Sequence, residues 1–310
     1  MQLPIELQQK IDAIVEDLSH GDLIKAREEL THRYRKNDSK QYMSDTSHHL
    51  SYLATRMPAT FGAIYQVLKQ IENHEIYSIL DLGAGPGTVL WAASELFTNC
   101  SQITLIEQDK ALINIGKKLI ENSDRFQNID ISWQSCNLES LSSLPKSDLI
   151  TLSYLIGELK IIKGLINKCW ESTQKFLIII EPGTPKGFNR IKTIRNHLLS
   201  MGAYIAAPCP HQENCSNDWC HFSQRIERSS FHRKLKNASL GYEDEKFSYI
   251  IFSKTPIDLP KNRILRNPEK HSGHIIFETC SKTGLQKTII SKKTKSLYKI
   301  AKKLKWGDSF

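Results

Sequence analysis

Between Tyr77 and Gly183 short strand-like runs alternate with segments of helical spacing. The runs YSILDLG (77–83), QITLIEQD (102–109), IDISWQS (129–135), DLITLSYL (148–155) and KFLIIIEPG (175–183) are rich in β-branched and aromatic residues. TVLWAASELF (88–97) and ALINIGKKLI (111–120) repeat instead with a helical period. Strands that are apolar on both faces need cover on both sides, and crossover helices supply it when the strands run parallel. The expected fold class is therefore α/β with a parallel, doubly covered sheet.

Elements flank this block on both sides. Residues 4–35 place Ile5, Ile11, Ile14, Val15, Leu18, Leu23 and Leu30 at helical spacings around an SHGD break, which predicts a helical pair. A second helical stretch spans Leu50 to Ile71, with Pro58 restarting the helix after Arg56. After EPGTPKG the pattern predicts a helix over FNRIKTIRNHLLSMG, a strand over AYIAAP and a basic helix over SQRIERSSFHRKLKNA. A closing strand over FSYIIFSK follows. The expected organisation is an N-terminal helical region (1–75), a central domain (76–256) with a cysteine-rich insertion (208–240), and a basic C-terminal β module (257–310).

Charge is distributed unevenly. Residues 261–310 hold thirteen Lys/Arg against three Asp/Glu, which leaves 29 against 30 for the rest of the chain. Clustered cations gain by counterion release on a polyanion, although a solvated lysine face has the same composition. Lys292, Lys293 and Lys295 are the candidate phosphate contacts in the tail. Arg225, Arg228 and His232 would share one face of the basic helix. No window approaches eighteen uninterrupted apolar residues, and the first eighteen residues lack a signal or transit pattern, so the expectation is a soluble cytoplasmic protein.

The segment ILDLGAGPGT ends a buried strand at Asp81 and opens a helix through Gly83, Gly85 and Gly87. Glycine there lets the backbone turn tightly and a ligand approach it closely. Glu107 closes the next strand, placed to accept from the hydroxyls of an adenosyl ribose. An NAD site shares this spacing. The acidic residue two before the first glycine, Pro86 in the loop and CNLESL after the third strand instead resemble the class I methyltransferase pattern, with S-adenosylmethionine as donor. Asn137 or Cys136 would then lie near the adenine, and Ser153, with Tyr154 and Glu158, would face the substrate entrance; loop or structural roles are equally open to them. Asn137 and Ser153 complete the candidate cofactor-binding set. LSYLIGEL lacks the proline pair of exocyclic-amine methyltransferases, and no residue is assigned as catalytic base.

The stretch PCPHQENCSNDWCHF sets Cys209, Cys215 and Cys220 in one loop, with Cys280 far downstream. Structural zinc sites favour closer Cys pairs. Three loop ligands and a remote fourth are a common arrangement for an iron–sulfur cluster, with zinc as the alternative. Cys100, Cys136 and Cys169 read as small hydrophobes.

Taken together, YLATRMPAT, DLGAGPGT, SYLIGELK, EPGTPKGF, the cysteine stretch running into HFSQRIER, EDEKFSYIIFSK and YKIAKKLKWGD resemble the methyltransferase-like assembly factors of the mitochondrial small ribosomal subunit and their bacterial relatives. The resemblance covers nearly the whole chain from Tyr52. It implies a class I, Rossmann-like methyltransferase fold and a four-iron four-sulfur cluster on Cys209, Cys215, Cys220 and Cys280. It also implies binding to small-subunit rRNA and proteins during assembly and translation, with a mitochondrial-matrix location for eukaryotic members. Two rival readings are an active rRNA methyltransferase with a purely structural cluster, and a zinc-stapled small-molecule methyltransferase.

Overall fold

The computed structural model describes residues 1–310 except 17–18, 37–42, 44 and 216–218. The chain divides into two compact units. The first comprises Met1–Pro145, Glu158–Ile161 and Gln224–Glu245; the second comprises Lys146–Gly157, Ile162–Ser223 and Lys246–Phe310.

The first unit begins with α1 (Ile5–Val15), α2 (His20–Lys36), α3 (Thr46–Thr55) and α4 (Met57–Leu68). Leu7, Ile11 and Val15, four apart, form the buried stripe of α1. Asp45 caps α3 by accepting the His48 N–H at 3.0 Å. The helix breaks at Arg56, and Pro58 sits in the first turn of α4, where its missing N–H forfeits no intrahelical bond. Next come β1 (Ser78–Leu82), α5 (Thr88–Ser94), β2 (Gln102–Glu107), α6 (Lys110–Ile120) and β3 (Asp130–Ser135). β2 lies between β1 and β3, parallel to both, with Leu80 opposite Thr104 and Leu105 opposite Trp133. Trp91 of α5 is fully buried and meets Phe126 edge-on at 4.9 Å.

The second unit contains β4 (Ser147–Ser153), α7 (Ile162–Ser172), β5 (Thr173–Pro182), α8 (Pro185–Ser200) and β6 (Tyr204–Ala207). Beyond them the chain forms β7 (Phe222–Glu227), α9 (Ser230–Leu235) and β8 (Tyr242–Ser253). β4 and β5 are parallel, whereas β8 runs antiparallel to β5 and to β6, so the sheet is mixed. Ile178, Ile179 and Ile180 on β5, and Ile250, Ile251 and Phe252 on β8, are buried in succession, the mark of strands covered on both faces. A separate four-stranded antiparallel sheet follows, built from β9 (Asn262–Ile264), β10 (Glu269–Lys270), β11 (His274–Ser281) and β12 (Gly284–Ser291), with α10 (Lys295–Ala301) after it. Ile264, Ile275, Phe277, Ile290 and Ala301 make its core, joined by Tyr298, Leu304 and Phe310.

The basic helix expected over residues 223–238 is not formed as one element. Arg225 lies on β7 and Arg228 follows it, so of the three residues assigned to one helical face only His232 is helical. The reason is local. Phe222 and Ile226 are buried while Arg225 and Glu227 are exposed, a period near two, and Ser229 then caps α9 by accepting the His232 N–H at 3.1 Å. A short alternating run inside a basic segment loses to the helical reading in sequence because its flanks are helix-compatible.

α9 directs His232 and Lys236 at Glu243 of β8, which also takes Arg228 at 2.9 Å. Burial, reinforced by Lys236 and opposed by Glu243, pulls the His232 imidazole down from 6.5 to about 4. The unfolded chain therefore binds a proton that the folded chain refuses between those values. The stability this neutral histidine contributes is complete above about pH 6.5 and is lost as the pH falls toward 4. Replacing His232 with Gln removes that component. In urea unfolding, the stability difference between parent and His232→Gln is expected to narrow with acidification across this window by up to about 1.4 kcal/mol per pH unit.

Candidate nucleotide loop and cysteine cavity

β1 delivers Asp81, 1% exposed, into the start of a loop whose three glycines all have positive φ: 69° at Gly83, 54° at Gly85 and 83° at Gly87. The N–H groups of Gly83 and Ala84 both bond the Ile106 carbonyl, at 2.9 and 3.1 Å, which pins the loop to the end of β2. A Cβ built on Gly85 meets no atom within 4 Å. The requirement for glycine there is the left-handed backbone and an open face, which leaves room for a ligand to approach.

Glu107 acts on this loop directly. Its Oε2 accepts the Gly85 N–H at 2.9 Å and its Oε1 accepts the Asp109 N–H at 2.9 Å. Each carboxylate oxygen has a second lone pair, so the residue clamps the loop and still has acceptor capacity for a ribose. Asp109 in turn caps α6 through the Ala111 N–H and meets His49 Nε2 at 2.7 Å, while His49 Nδ1 meets the Asp45 carbonyl at 2.7 Å. Trp133 of β3, not singled out in the sequence, packs its ring against Gly87 and Gly116, and its Nε1 is buried with no partner among the described residues. Its signal was one large aromatic on a strand beside a glycine loop, too general to separate from core packing.

Asn137 is exposed and caps the 3-10 turn Leu138–Ser140 by accepting the Glu139 N–H at 2.9 Å. Ser153, in the second unit at the end of β4, has a buried Oγ with no partner among the described residues. The turn after it is held by Glu181, 0% exposed, which accepts the Ile156 N–H at 3.1 Å and pairs with Arg190 at 2.9 Å. Burial raises the Glu181 carboxyl and Arg190 opposes the rise. A Cβ at Gly157 would lie 2.6 Å from the Arg190 guanidinium, so a larger residue there would push that guanidinium aside from its pair with Glu181.

The second unit also brings the four predicted thiols together. Cys209, Cys215, Cys220 and Cys280 all line one cavity of about 40 Å³, several times the roughly 10–15 Å³ that one water needs. The first three come from the connection between β6 and β7, and the stretch between Cys215 and Trp219 lies outside the described residues. Cys280 comes from β11, opposite Arg263 of β9 and Leu285 of β12. His211 Nε2 lies 3.4 Å from the Cys280 sulfur, and burial, with Arg195 adding, pulls its imidazole below the usual range. Burial pushes the neighbouring Tyr249 hydroxyl up to about 12, with Arg263 opposing and Cys220 and Cys209 adding to the rise.

Carbonyls of this irregular connection are taken by side chains. Arg263 donates to Pro208 at 2.9 Å, Arg195 to His211 at 3.3 Å and Glu213 at 2.6 Å, Ser248 to Cys220 at 2.9 Å, and Trp306 to His221 at 2.9 Å. Among the described residues, no three His, Cys, Asp or Glu side chains are placed to hold a single metal ion. Cys100 and Cys169 are buried elsewhere, and burial pushes the Cys169 thiol up to about 12, which keeps it unreactive.

The candidate RNA contacts fall in both units. In the first, Arg225 is 57% exposed, pairs with Asp244 at 2.7 Å and lies 3.9 Å above the Tyr242 ring. Arg228 is 13% exposed and committed to Glu243. In the second, Lys292 and Lys293 lie in the turn after β12 and Lys295 opens α10, all exposed. No helix among the described residues is long and apolar enough to cross a membrane.

Comparison with known proteins adds the following. A fission-yeast (Schizosaccharomyces pombe) protein, Rsm22-cox11 tandem protein 2, mitochondrial, is 28% identical over 339 residues, covering 89% of this chain and 44% of its own length. The human ribosome assembly protein METTL17, mitochondrial, is 24% identical over 320 residues, covering 94% of this chain and 68% of its own. The chain thus spans less than half of the fission-yeast relative. A solved S-adenosylmethionine-dependent methyltransferase from Aquifex aeolicus superposes with a TM-score of 0.43 at 14% identity, over 69% of this chain and all of that one. The family model described as mitochondrial small ribosomal subunit Rsm22 matches residues 46–310, and the chain belongs to the Rsm22 family.

Proposed function

We propose that this chain is a methyltransferase-like assembly factor of the small ribosomal subunit that binds rRNA and carries a 4Fe–4S cluster. The observation that carries the reading is the convergence of Cys209, Cys215, Cys220 and Cys280 on one cavity. The sequence spacing of the three loop cysteines, with no close Cys pair and a remote fourth at Cys280, supports a multi-iron centre over zinc. When bound, the cluster supplies iron–thiolate bonds; the protein's part is to hold the β6–β7 connection and β11 in place. Membership in the Rsm22 family and the naming of the human relative as a ribosome assembly protein support the ribosomal partner.

The donor site is read onto Asp81, Gly83, Gly85, Gly87 and Glu107, supported by the open side of Gly85 and the residual acceptor capacity of Glu107. Asn137 already serves as a cap, and Ser153, in the second unit, keeps a buried hydroxyl with no partner among the described residues. Phosphate contact is assigned to Lys292, Lys293 and Lys295 and to the exposed Arg225. Arg228 pairs with Glu243 at 2.9 Å and is not assigned to this exposed set.

Three measurements test these assignments. Anaerobically purified protein is expected to be brown, with about four irons per chain, and Cys280→Ser to lose the iron along with hydrogen-exchange protection of β11 and β12; stoichiometric zinc without iron would falsify the cluster. Gly85→Val is expected to abolish S-adenosylmethionine binding in calorimetry, because a β-branched residue at φ 54° strains the loop and its side chain fills the open face, while far-ultraviolet circular dichroism stays unchanged since the strain is confined to the loop. Unchanged affinity would make the loop purely structural. Replacing Lys292, Lys293 and Lys295 together by Gln should flatten the slope of log affinity for small-subunit RNA against log salt by about 2 to 3 units, and an unaltered slope would put the RNA surface elsewhere.

A further inference from the structure

The first unit contains an open cavity of about 530 Å³ that the preceding reading does not use. Arg27, Glu28 and Thr31 of α2, Arg56 between α3 and α4, Arg228 after β7 and Lys236 at the end of α9 line it. Three guanidiniums and one ammonium meet there. Three carboxylates face them: Glu245 takes both terminal nitrogens of Arg56 at 2.9 and 2.7 Å, Glu243 takes Arg228 at 2.9 Å and Lys236 at 2.6 Å, and Glu28 takes Arg27 at 3.0 Å. Four against three leaves one positive charge in excess at a concave surface.

The pairing orients the cations without exhausting them. A guanidinium has five N–H groups and an ammonium three. Arg228 commits three, two to Glu243 and one to the Leu240 carbonyl at 3.2 Å. Arg27 commits two, to Glu28 and to the Leu235 carbonyl at 3.0 Å, and Lys236 commits one. The remaining donors belong to side chains that line the cavity. Burial lowers the Lys236 ammonium, Glu243 opposes the fall, and Arg56 and Arg228 add to it. Fixed guanidinium edges beside an ammonium suit phosphoryl oxygens, which accept several charge-assisted hydrogen bonds at once.

We propose that this cavity binds a phosphate-bearing ligand through Arg27, Arg228 and Lys236, with Thr31 on its rim. The phosphate can come from the backbone of an RNA strand or from a free polyphosphate such as that of a nucleotide. The proposal depends on neither the thiol cavity nor the tail lysines, so its failure would leave both intact.

The test uses the full chain, tripolyphosphate in calorimetry and a short single-stranded RNA in fluorescence anisotropy. Arg27→Gln removes donors, and Thr31→Glu places a negative charge on an exposed position of α2 that supports no buried network. Each is expected to weaken tripolyphosphate binding by about tenfold or more, with the thermal midpoint of Thr31→Glu and the iron content of both variants unchanged. If tripolyphosphate does not bind but RNA affinity falls by the same factor in both variants, the phosphate source is the RNA backbone and the site stands. Equal affinity of parent and variants for both probes, or no binding of either probe to the parent, overturns it.

Discussion

Irregular backbone beside a buried cavity has to place its carbonyl groups somewhere, and in this protein two guanidiniums take them. Arg195 and Arg263, 2% and 5% exposed, reach the connection after β6 from α8 and β9 and bond Pro208, His211 and Glu213. An unpaired buried carbonyl costs about 1–3 kcal/mol, so a segment with several of them would otherwise move out into water. Arg263 also donates to the Gly307 carbonyl at 2.7 Å, which brings the end of the chain into the same arrangement. The positions of Cys209, Cys215 and Cys220 therefore depend on residues that touch no sulfur-bearing motif in the sequence. A metal centre read only from its ligands misses this dependence.

Much of the architecture was legible because its cause is periodic. Parallel strands covered on both faces write continuous apolar runs, and β1 to β5 fall where those runs stand. Pro58 marked a helix restart because its ring tolerates only the first turn. β7 was not legible: its alternation lasts six residues inside a charged segment, and Phe222 and Ile226 reveal their period only when buried. The glycine loop could be recognised, but the clamp on it could not. Glu107 read as a ribose acceptor, and nothing in its spacing announces bonds to the Gly85 and Asp109 amides.

The cysteine set was legible by type and density, whereas its surroundings were not. His211 falls beside Cys280 although 69 residues separate them, a proximity that no local pattern announces. Glu181 and Arg190 are nine residues apart, a strand end and a helix face, and their pairing at zero exposure for the carboxylate fixes the turn after β4. Arg228 illustrates the opposite error. A basic residue in a basic stretch suggested an open contact, yet Glu243, fifteen residues on, encloses it. Charge counted along a sequence says nothing about which carboxylate holds and orients each cation.

The register of β11 limits how this chain can change length. Ile275, Phe277, Thr279 and Ser281 are buried on one face of the strand, and Cys280 lies on the other, lining the cavity with the loop thiols. A strand has a period of two, so inserting or deleting one residue between Phe277 and Cys280 would turn the thiol into the small hydrophobic core and a neighbour out toward the sulfurs. Length variation can be absorbed before β11, in the turn at residues 271–273, without exchanging the two faces. A deletion of one codon inside the strand would thus separate a chain that still folds its sheet from one that still assembles its thiol cavity.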